Sequence, residues 1–275
     1  MKDSDCVSLL QWALPRLRMR WPGFRKVRCQ VCKRIDRRCR ALGLETAADY
    51  RVYLETHPEE WATLDALCRV TISRFYRNRA VFDQLAQGVW PALAEEALGQ
   101  GETTFRCWSI GCASGEEPYT LSLLCRLALQ PRFSALTCHI LATEADENLL
   151  RRAQAGRYPA SSLKDLPPDW RQRAFTPIDD EYVLRDTFRS EVTFTQQDIR
   201  VAYPAGVFRL ILCRNLVLTY FAESLQRQVL GQISARLQAG GALVIGQHEA
   251  LPQGVAGFRP WFPRLGIYRK GDAPP

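Results

Sequence analysis

The apolar residues of this chain recur with a helical period over its first third. Val27, Val31 and Ile35 lie four positions apart, with arginines and lysines filling the positions between them. This spacing places the three side chains on one face of a helix. Gly43 is expected to end that helix, and Thr46 to cap the next one. The pattern predicts an all-helical N-terminal domain over residues 1–84.

After residue 84 the pattern changes to short apolar runs that alternate with helical segments. The runs that predict strands lie at residues 105–110, 138–143, 208–213, 242–246 and 266–269. Strands that alternate with helices predict an α/β domain with a parallel, doubly wound sheet, here over residues 85–275. Residues 156–205 interrupt the alternation with prolines and two β-like runs, 181–184 and 191–195, which predict a short inserted β hairpin.

The first strand leads into the most informative stretch, residues 105–124, which read FRCWSIGCASGEEPYTLSLL. Gly111 and Gly115 predict a tight loop, and Pro118 suits the first turn of a following helix. Glu116 and Glu117 stand where a phosphate would meet repulsion, but carboxylates accept hydrogen bonds from ribose hydroxyls and attract cations. S-adenosylmethionine (SAM) carries a sulfonium and no phosphate, so it fits better than NAD or ATP. An ordinary strand–turn–helix with solvated acids is the alternative.

Charge is concentrated near the N-terminus. The chain has 275 residues, 47% of them apolar, and a net charge of +8. Eleven lysines and arginines lie within residues 16–40, against the single acid Asp36. Such a face favours an acidic partner, whether protein, nucleic acid or anionic lipid. A solvated helix without a partner is the alternative.

The cysteines and histidines give weaker indications. The ten cysteines are scattered, several within apolar runs, and are expected to be buried thiols of a cytoplasmic protein. Cys29 and Cys32 lie in one predicted helix without a second pair, so no metal is expected. His139 is expected to be a hydrogen-bonded core histidine. The chain shows neither a long apolar run nor the shape of a signal peptide, so membrane insertion is not expected.

Several motifs together carry a resemblance to a known family. In chain order they are RFYRN, WSIGCASGEEPYTLSLL, ILATEADENLLRRAQAGRY, FTQQDIR, ILCRNLVLTYF, LQAGGALVIGQHEAL and GIYRK. The set resembles the CheR family of chemotaxis receptor methyltransferases, which are class I SAM-dependent enzymes that methylate glutamate side chains. The resemblance implies a Rossmann-like methyltransferase fold, SAM as cofactor and S-adenosylhomocysteine as product.

The resemblance also implies site residues. Arg77 and Tyr220 would be catalytic, with Arg77 pairing with the acceptor carboxylate. Glu144 would hold the ribose hydroxyls, Asp198 the adenine amino group, and Arg214 would lie beside the methionyl group. The full cofactor-binding set is Thr71, Ser73, Arg77, Gly111, Cys112, Ala113, Gly115, Glu117, Glu144, Asp198, Ile199, Arg214 and Asn215.

The chain departs from the family pattern at three places. Asn78 follows Arg77 where the family has an acid, the segment from Arg214 to Tyr220 is one residue longer, and the inserted hairpin lacks a glycine-rich turn. The expected function is methylation of glutamates on a chemoreceptor-like protein, bound through the basic N-terminal helices, by a monomeric cytoplasmic enzyme without a nucleic-acid partner. Two alternatives stay open: another acceptor for the same chemistry, and a non-catalytic SAM- or S-adenosylhomocysteine-binding adaptor.

Overall fold

A computed structural model describes residues 2–271. The chain forms two compact units, Met1–Thr71 with Leu216–Gln226, and Ile72–Asn215 with Arg227–Pro275. The sequence placed a domain boundary after residue 84. As a division into independent domains, that boundary stays a prediction.

The first unit is helical. Its helices are α1 (Asp3–Ala13), α2 (Trp21–Phe24), α3 (Arg28–Ala41), α4 (Ala47–Thr56), α5 (Glu60–Cys68) and, late in the chain, α12 (Val217–Tyr220). Val31 and Ile35 are fully buried, as the four-residue spacing predicted. Thr46 caps α4 in a reciprocal capping box, in which its hydroxyl accepts from the Asp49 amide and the Asp49 carboxylate accepts from the Thr46 amide.

One buried acid stabilises this unit. Glu60 is 3% exposed, and its carboxylate accepts hydrogen bonds from the Arg38 guanidinium (2.9 and 2.6 Å) and the Tyr50 hydroxyl (2.7 Å). A buried carboxylate is tolerated where its lone pairs are satisfied in this way. Trp61, which the apolar pattern would turn inward, is instead half-buried and packs against Trp12 at a ring-centroid distance of 5.4 Å.

The second unit contains the ten strands found within residues 2–271. They are β1 (Thr104–Ile110), β2 (Thr137–Glu144), β3 (Arg157–Pro159), β4 (Phe175–Ile178), β5 (Glu181–Leu184), β6 (Val192–Gln196), β7 (Phe208–Cys213), β8 (Leu237–Ile245), β9 (Phe258–Phe262) and β10 (Ile267–Lys270). Its helices are α6 (Arg79–Gln84), α7 (Trp90–Gly99), α8 (Glu116–Leu124), α9 (Glu147–Ala155), α10 (Pro168–Ala174) and α11 (Asp186–Arg189). The last helix, α13 (Glu223–Arg236), begins in the first unit and ends in the second.

The main sheet has the strand order β6-β2-β1-β7-β8-β10-β9. The pairs from β6 to β8 are parallel, whereas β10 is antiparallel to β8 and β9. From the central β1 the chain proceeds outward to β2 and β6, then returns to β7 on the other side of β1. The carboxyl ends of β1 and β7 therefore form a topological switch point, where ligands bind in such sheets.

Residues 156–205 contain a β hairpin, as predicted, but β5 pairs there with β4, which was not among the predicted runs. β3 joins the hairpin to form a separate antiparallel sheet in the order β3-β5-β4. The other β-like run of this region was assigned wrongly. Residues 192–196 form the edge strand β6 of the main sheet, parallel to β2. The alternation of apolar and polar residues predicted a strand there. It did not predict which strand pairs with it, because that depends on residues far away in the sequence.

The cysteine expectation is wrong at five positions. Disulfides join Cys6 to Cys32 and Cys125 to Cys138. Cys39, Cys68, Cys107, Cys112 and Cys213 are buried thiols, and Cys29 is exposed. No grouping of three or more His, Cys, Asp or Glu side chains suited to a metal occurs within residues 2–271.

His139 is exposed, so its expected place in the core is also wrong. Cys138 and Ile140 occupy the buried face of β2, and period-two alternation turns His139 to the other face. No helix within residues 2–271 combines the length and the apolar character that a membrane span requires.

Candidate functional site

The loop after β1 is the tight loop that its glycines predicted. Gly111, Ala113 and Gly115 have φ angles of +68°, +48° and +91°. A Cβ on Gly115 would lie 2.9 Å from the Ala153 Cβ and 3.1 Å from the Tyr158 hydroxyl. The loop therefore packs too closely for a side chain at this position.

Glu144, the last residue of β2, closes this loop from the neighbouring strand. Its Oε2 accepts from the Ala113 amide at 3.0 Å, and its Oε1 accepts from the amides of Ala145 (2.8 Å) and Asp146 (3.1 Å). The side chain is half-buried. Its carboxylate is thus held in a fixed orientation at the carboxyl end of the sheet, where acids accept hydrogen bonds from ribose hydroxyls in related α/β folds.

Glu117 and Arg214 form an ion pair across the switch point. Arg214 Nη1 donates to Glu117 Oε2 at 3.0 Å, and the Ser109 hydroxyl donates to Glu117 Oε1 at 2.8 Å. The Arg214 side chain is only 3% exposed, and its guanidinium lies 5.1 Å from the Phe82 ring centroid. The pair brings the start of α8 and the end of β7 together.

Arg214 also holds the segment that carries Arg77. Its Nη2 donates to the Arg77 carbonyl and to Asn78 Oδ1, both at 2.9 Å. Asn78 Nδ2 in turn donates to Gln247 Oε1 at 3.3 Å. Tyr76 and Asn78 have φ angles of +59° and +65°. Positive φ at a bulky aromatic residue is costly and persists only where surrounding contacts impose it, which is common at functional sites.

Other contacts fix the same segment to α8. The Tyr76 amide donates to Thr120 Oγ1 at 3.1 Å, and the Thr120 hydroxyl donates to the Glu116 carbonyl at 2.6 Å. The Arg77 side chain donates from Nη1 to the carbonyl of Ile72. The segment before α6 is thereby tied to the start of α8, next to the loop.

Glu116 is a buried acid that the sequence grouped with Glu117 as a carboxylate suited to ribose hydroxyls or a cation. It is 5% exposed, and its Oε2 has no hydrogen-bond partner within residues 2–271. Burial raises the pKa of Glu116 above its ordinary value, and a side-chain hydrogen bond with Ser73 opposes that change only in part. Only Glu117 of the two is directed towards Arg214.

Asp198 and Ile199 follow β6. Asp198 makes a bidentate ion pair with Arg200, whose Nη2 lies 2.6 Å from Asp198 Oδ2, and Ile199 is buried. The sequence did not indicate Arg200, because a contact two residues along the chain leaves no periodic signal. After β7, Asn215 has φ +55°, and its amide donates to Glu249 Oε2 at 3.0 Å.

The remaining site residues divide between the two units. Cys112 and Ser73 lie in the second unit, and burial raises the pKa of the Cys112 thiol well above its ordinary value. Thr71 and Tyr220 belong to the first unit. There the Tyr220 ring packs edge-on against Phe24 at 5.1 Å, and the Tyr220 carbonyl accepts from the Arg20 amide at 2.8 Å.

The acceptor groups indicate what this end of the sheet can bind. Two carboxylates, Glu117 and Glu144, stand at the ends of neighbouring elements beside the loop. Carboxylates accept from hydroxyl groups and stabilise positive charge, whereas they repel phosphate. The residues therefore fit a ligand with a ribose and a cationic centre, which is the chemistry of SAM.

Comparison with known proteins agrees with this chemistry. Residues 71–262 match the family model described as "CheR methyltransferase, SAM binding domain". The chemotaxis protein methyltransferase of Listeria monocytogenes is 33% identical over 186 residues, which cover 68% of this chain and 68% of that protein. The protein of the same name from Klebsiella aerogenes is 31% identical over 231 residues, covering 81% of this chain and 76% of that protein.

Solved methyltransferase structures share a more distant likeness. The glycopeptide N-methyltransferase MtfA in complex with sinefungin is 13% identical, covers 56% of this chain and 47% of its own, and gives a TM-score of 0.34.

Proposed function

Because the chain belongs to the CheR methyltransferase family and is a SAM-dependent methyltransferase, we propose that it methylates glutamate side chains of a chemoreceptor. The product would be a carboxyl methyl ester. The observation that carries the proposal is the Arg214 contact set, which ties the Arg77 segment to Glu117 at the carboxyl end of the sheet. Arg77 is cationic and therefore suited to an anionic acceptor, and its segment is fixed to Glu117 at the start of α8.

The chemistry needs positioning more than proton transfer. SAM supplies an electrophilic methyl group on a sulfonium. A glutamate acceptor is already ionised at neutral pH, since its pKa is about 4.3, so no general base is required. Arg77 would hold one carboxylate oxygen and direct the other, and orientation of this kind can contribute on the order of 7–11 kcal/mol to lowering the barrier.

Other residues would hold the cofactor. Glu144 would accept hydrogen bonds from the ribose hydroxyls, and Glu117 would face the methionyl part. The backbone from Gly111 to Gly115 would lie against the cofactor. Tyr220 would help to orient the donor methyl, a role that rests on the family motif. Asp198 is proposed to accept from the adenine amino group while it holds Arg200.

The test of the reaction is transfer of labelled methyl from SAM to proteins of the source organism, followed by mild alkali. Label that enters a chemoreceptor and leaves as methanol would establish a carboxyl methyl ester on the proposed acceptor. Label in another protein, or alkali-stable label, would refute the proposed acceptor and favour a different substrate for the same fold. SAM binding without any transfer would favour the adaptor alternative.

The test of Arg77 uses two alanine variants in one segment. Arg77→Ala should lower kcat by at least tenfold and leave the Kd for SAM within about threefold, because the side chain is assigned to the acceptor. Arg79→Ala is the control, since Arg79 lies two positions on, is exposed and pairs only weakly with Asp83 at 3.6 Å. If Arg77→Ala weakened SAM binding and spared kcat, Arg77 would be a cofactor residue instead.

We further propose that acidic acceptor surfaces bind the basic patch, defined as Arg25, Lys26, Lys33 and Arg37. These four side chains are exposed, whereas neighbours such as Arg28, Arg38 and Arg40 are engaged by Asp3, Glu60 and Asp36. Lys33→Glu with Arg37→Glu should raise KM for the protein acceptor severalfold, more at low salt than at high salt, and leave kcat unchanged. An unchanged KM at low salt would exclude this surface as the docking site.

A further inference from the structure

One face of the main sheet is left uncovered at the amino-terminal halves of β1 and β2. The link between β6 and β7, residues 197–207, contains no helix. In the amino-terminal halves of β1 and β2 the exposed Arg106 and His139 alternate with buried residues, and in β6 the exposed Thr193 lies between two half-buried residues. This alternation is typical of a sheet face in contact with solvent.

A shallow cavity of about 440 Å³ lies on this face. Thr104, Thr193, Leu141 and Phe208 line it together with Arg106 and His139, and its lining contains no acidic residue. The cavity therefore combines apolar side chains with two threonine hydroxyls, an arginine guanidinium and a histidine imidazole. A few polar groups over an apolar lining are typical of sites for small molecules.

Arg106 is held in place without an acidic partner. Its guanidinium carbon lies 5.0 Å from the Phe208 ring centroid. Gly206 has φ +85°, and a Cβ there would lie 2.6 Å from Arg106 Nη1, so the glycine leaves room for the guanidinium. Within residues 2–271 the Arg106 side chain makes neither a hydrogen bond nor an ion pair, which leaves its five N–H donors available.

His139 is the residue opposite Arg106 in the parallel pairing of β1 with β2. Its side chain too makes no hydrogen bond within the part of the chain that the structure describes. Two neighbouring groups that can both donate to one anion, over an aromatic ring, match a carboxylate or phosphate attached to an apolar body. A free inorganic anion would use only the two donor groups and not the aromatic ring.

We propose that this cavity binds a small organic anion, with its carboxylate or phosphate on Arg106 and His139 and its apolar body against Leu141 and Phe208. The site lies at the amino-terminal halves of β1 and β2, whereas Gly111 follows the carboxyl end of β1 and Glu144 is the last residue of β2. The two sites are separated by most of the length of a strand, so a ligand here does not compete with SAM. The proposal does not depend on the identity of the methyl acceptor.

The experiment is an NMR titration of the full chain, following the His139 ring and the Arg106 Nε–H group. The probes are benzoate and phenyl phosphate, compared with acetate, inorganic phosphate and benzyl alcohol. Saturable shifts of both groups are expected for the first two, with a Kd at least tenfold lower than for the other three. Whichever aromatic probe binds more tightly identifies carboxylate or phosphate as the preferred head group.

Three variants complete the test, each first shown to bind SAM with the wild-type Kd so that a folding defect is recognised. Arg106→Gln and His139→Gln should each weaken the preferred probe at least tenfold. Arg132→Gln should have no effect, because Arg132 also lies over a ring, that of Phe133 at 5.3 Å, but outside the cavity. The proposal is overturned if no probe saturates by 10 mM, if acetate or phosphate binds as well as its aromatic counterpart, or if Arg132→Gln is as damaging as Arg106→Gln.

Discussion

The Arg214 guanidinium donates a hydrogen bond to the backbone carbonyl of Arg77 at 2.9 Å, across a sequence separation of 137 residues. The same guanidinium pairs with Glu117 at 3.0 Å. The side chain that the motif assigned to the cofactor therefore also positions the residue assigned to the acceptor. The buried Arg214 guanidinium thus connects Glu117, which is assigned to the cofactor, with the segment of Arg77, which is assigned to the acceptor.

Arg214→Lys tests this coupling, because lysine keeps the charge but lacks the planar fork that reaches three partners. We expect the free energy of unfolding to fall by about 1–3 kcal/mol, and kcat to fall at least tenfold. Arg209→Lys is the matched control at the other end of β7, where Arg209 is 2% exposed and pairs with Glu102 at 2.7 Å. Urea denaturation should show similar destabilisation in both variants, and steady-state kinetics should show a lower kcat only in Arg214→Lys. If the two variants had the same kcat, the proposed coupling would be wrong.

Gly115→Ala tests whether the loop requires a glycine. The φ of +91° and the 2.9 Å approach to the Ala153 Cβ predict strain, with a loss of about 1–3 kcal/mol in the free energy of unfolding, and a higher Kd for SAM. Gly99→Ala is the control, since nothing lies within 4 Å of its Cβ position. Because Gly99 ends α7, its replacement should be neutral or stabilising by roughly 0.5–1 kcal/mol. Thermal unfolding and SAM titration measure both, and a Gly115→Ala protein with wild-type values would refute the steric argument.

Glu144→Gln tests the acid at the end of β2. The substitution removes the charge and turns one acceptor into a donor that faces backbone amides, so SAM should bind about 10- to 100-fold more weakly, as expected for a charged hydrogen bond worth about 1.5–3 kcal/mol. Glu147→Gln, three residues later and exposed, makes the same change in net charge and should leave the Kd unchanged. Calorimetric titration with S-adenosylhomocysteine measures both constants. Equal effects in the two variants would mean that net charge, and not Glu144 itself, governs binding.

Glu116→Gln tests the buried acid through pH. Burial raises the pKa of Glu116 in the folded state, so the folded protein binds the proton more tightly than the unfolded chain does. The contribution to stability is therefore present below the unfolded-state pKa, and it is lost as pH rises through the folded-state pKa. As pH rises above about 4.5, the wild-type should lose stability relative to Glu116→Gln.

Urea denaturation at several pH values measures this difference, and Glu95→Gln serves as the control because Glu95 is exposed. The control should follow the wild-type curve. If Glu116→Gln also followed it, the Glu116 carboxyl would have the same proton affinity in both states.

Local features were predictable because their causes lie within a few residues. Gly111 and Gly115 predicted the loop, and Thr46 predicted a helix cap. The order of the family motifs predicted the methyltransferase fold and its cofactor. Alternation likewise marked β6 as a strand. The same reasoning failed where a partner had to be chosen, as in the pairing of β6 with β2 and the disulfide between Cys125 and Cys138.

The sequence by itself determined the alternating architecture, the SAM-binding chemistry and the family, because periodicity, turn residues and motif order are properties of neighbouring positions. Only the tertiary structure decided that Arg214 contacts Arg77 and Asn78, that Glu116 is buried while Glu117 is paired, and that His139 faces outward beside Arg106. Burial and ion pairing depend on which distant segments the sheet brings together. A pattern of single residues does not encode that choice, since the same arginine or histidine satisfies it whether it meets solvent, a carboxylate or a ligand.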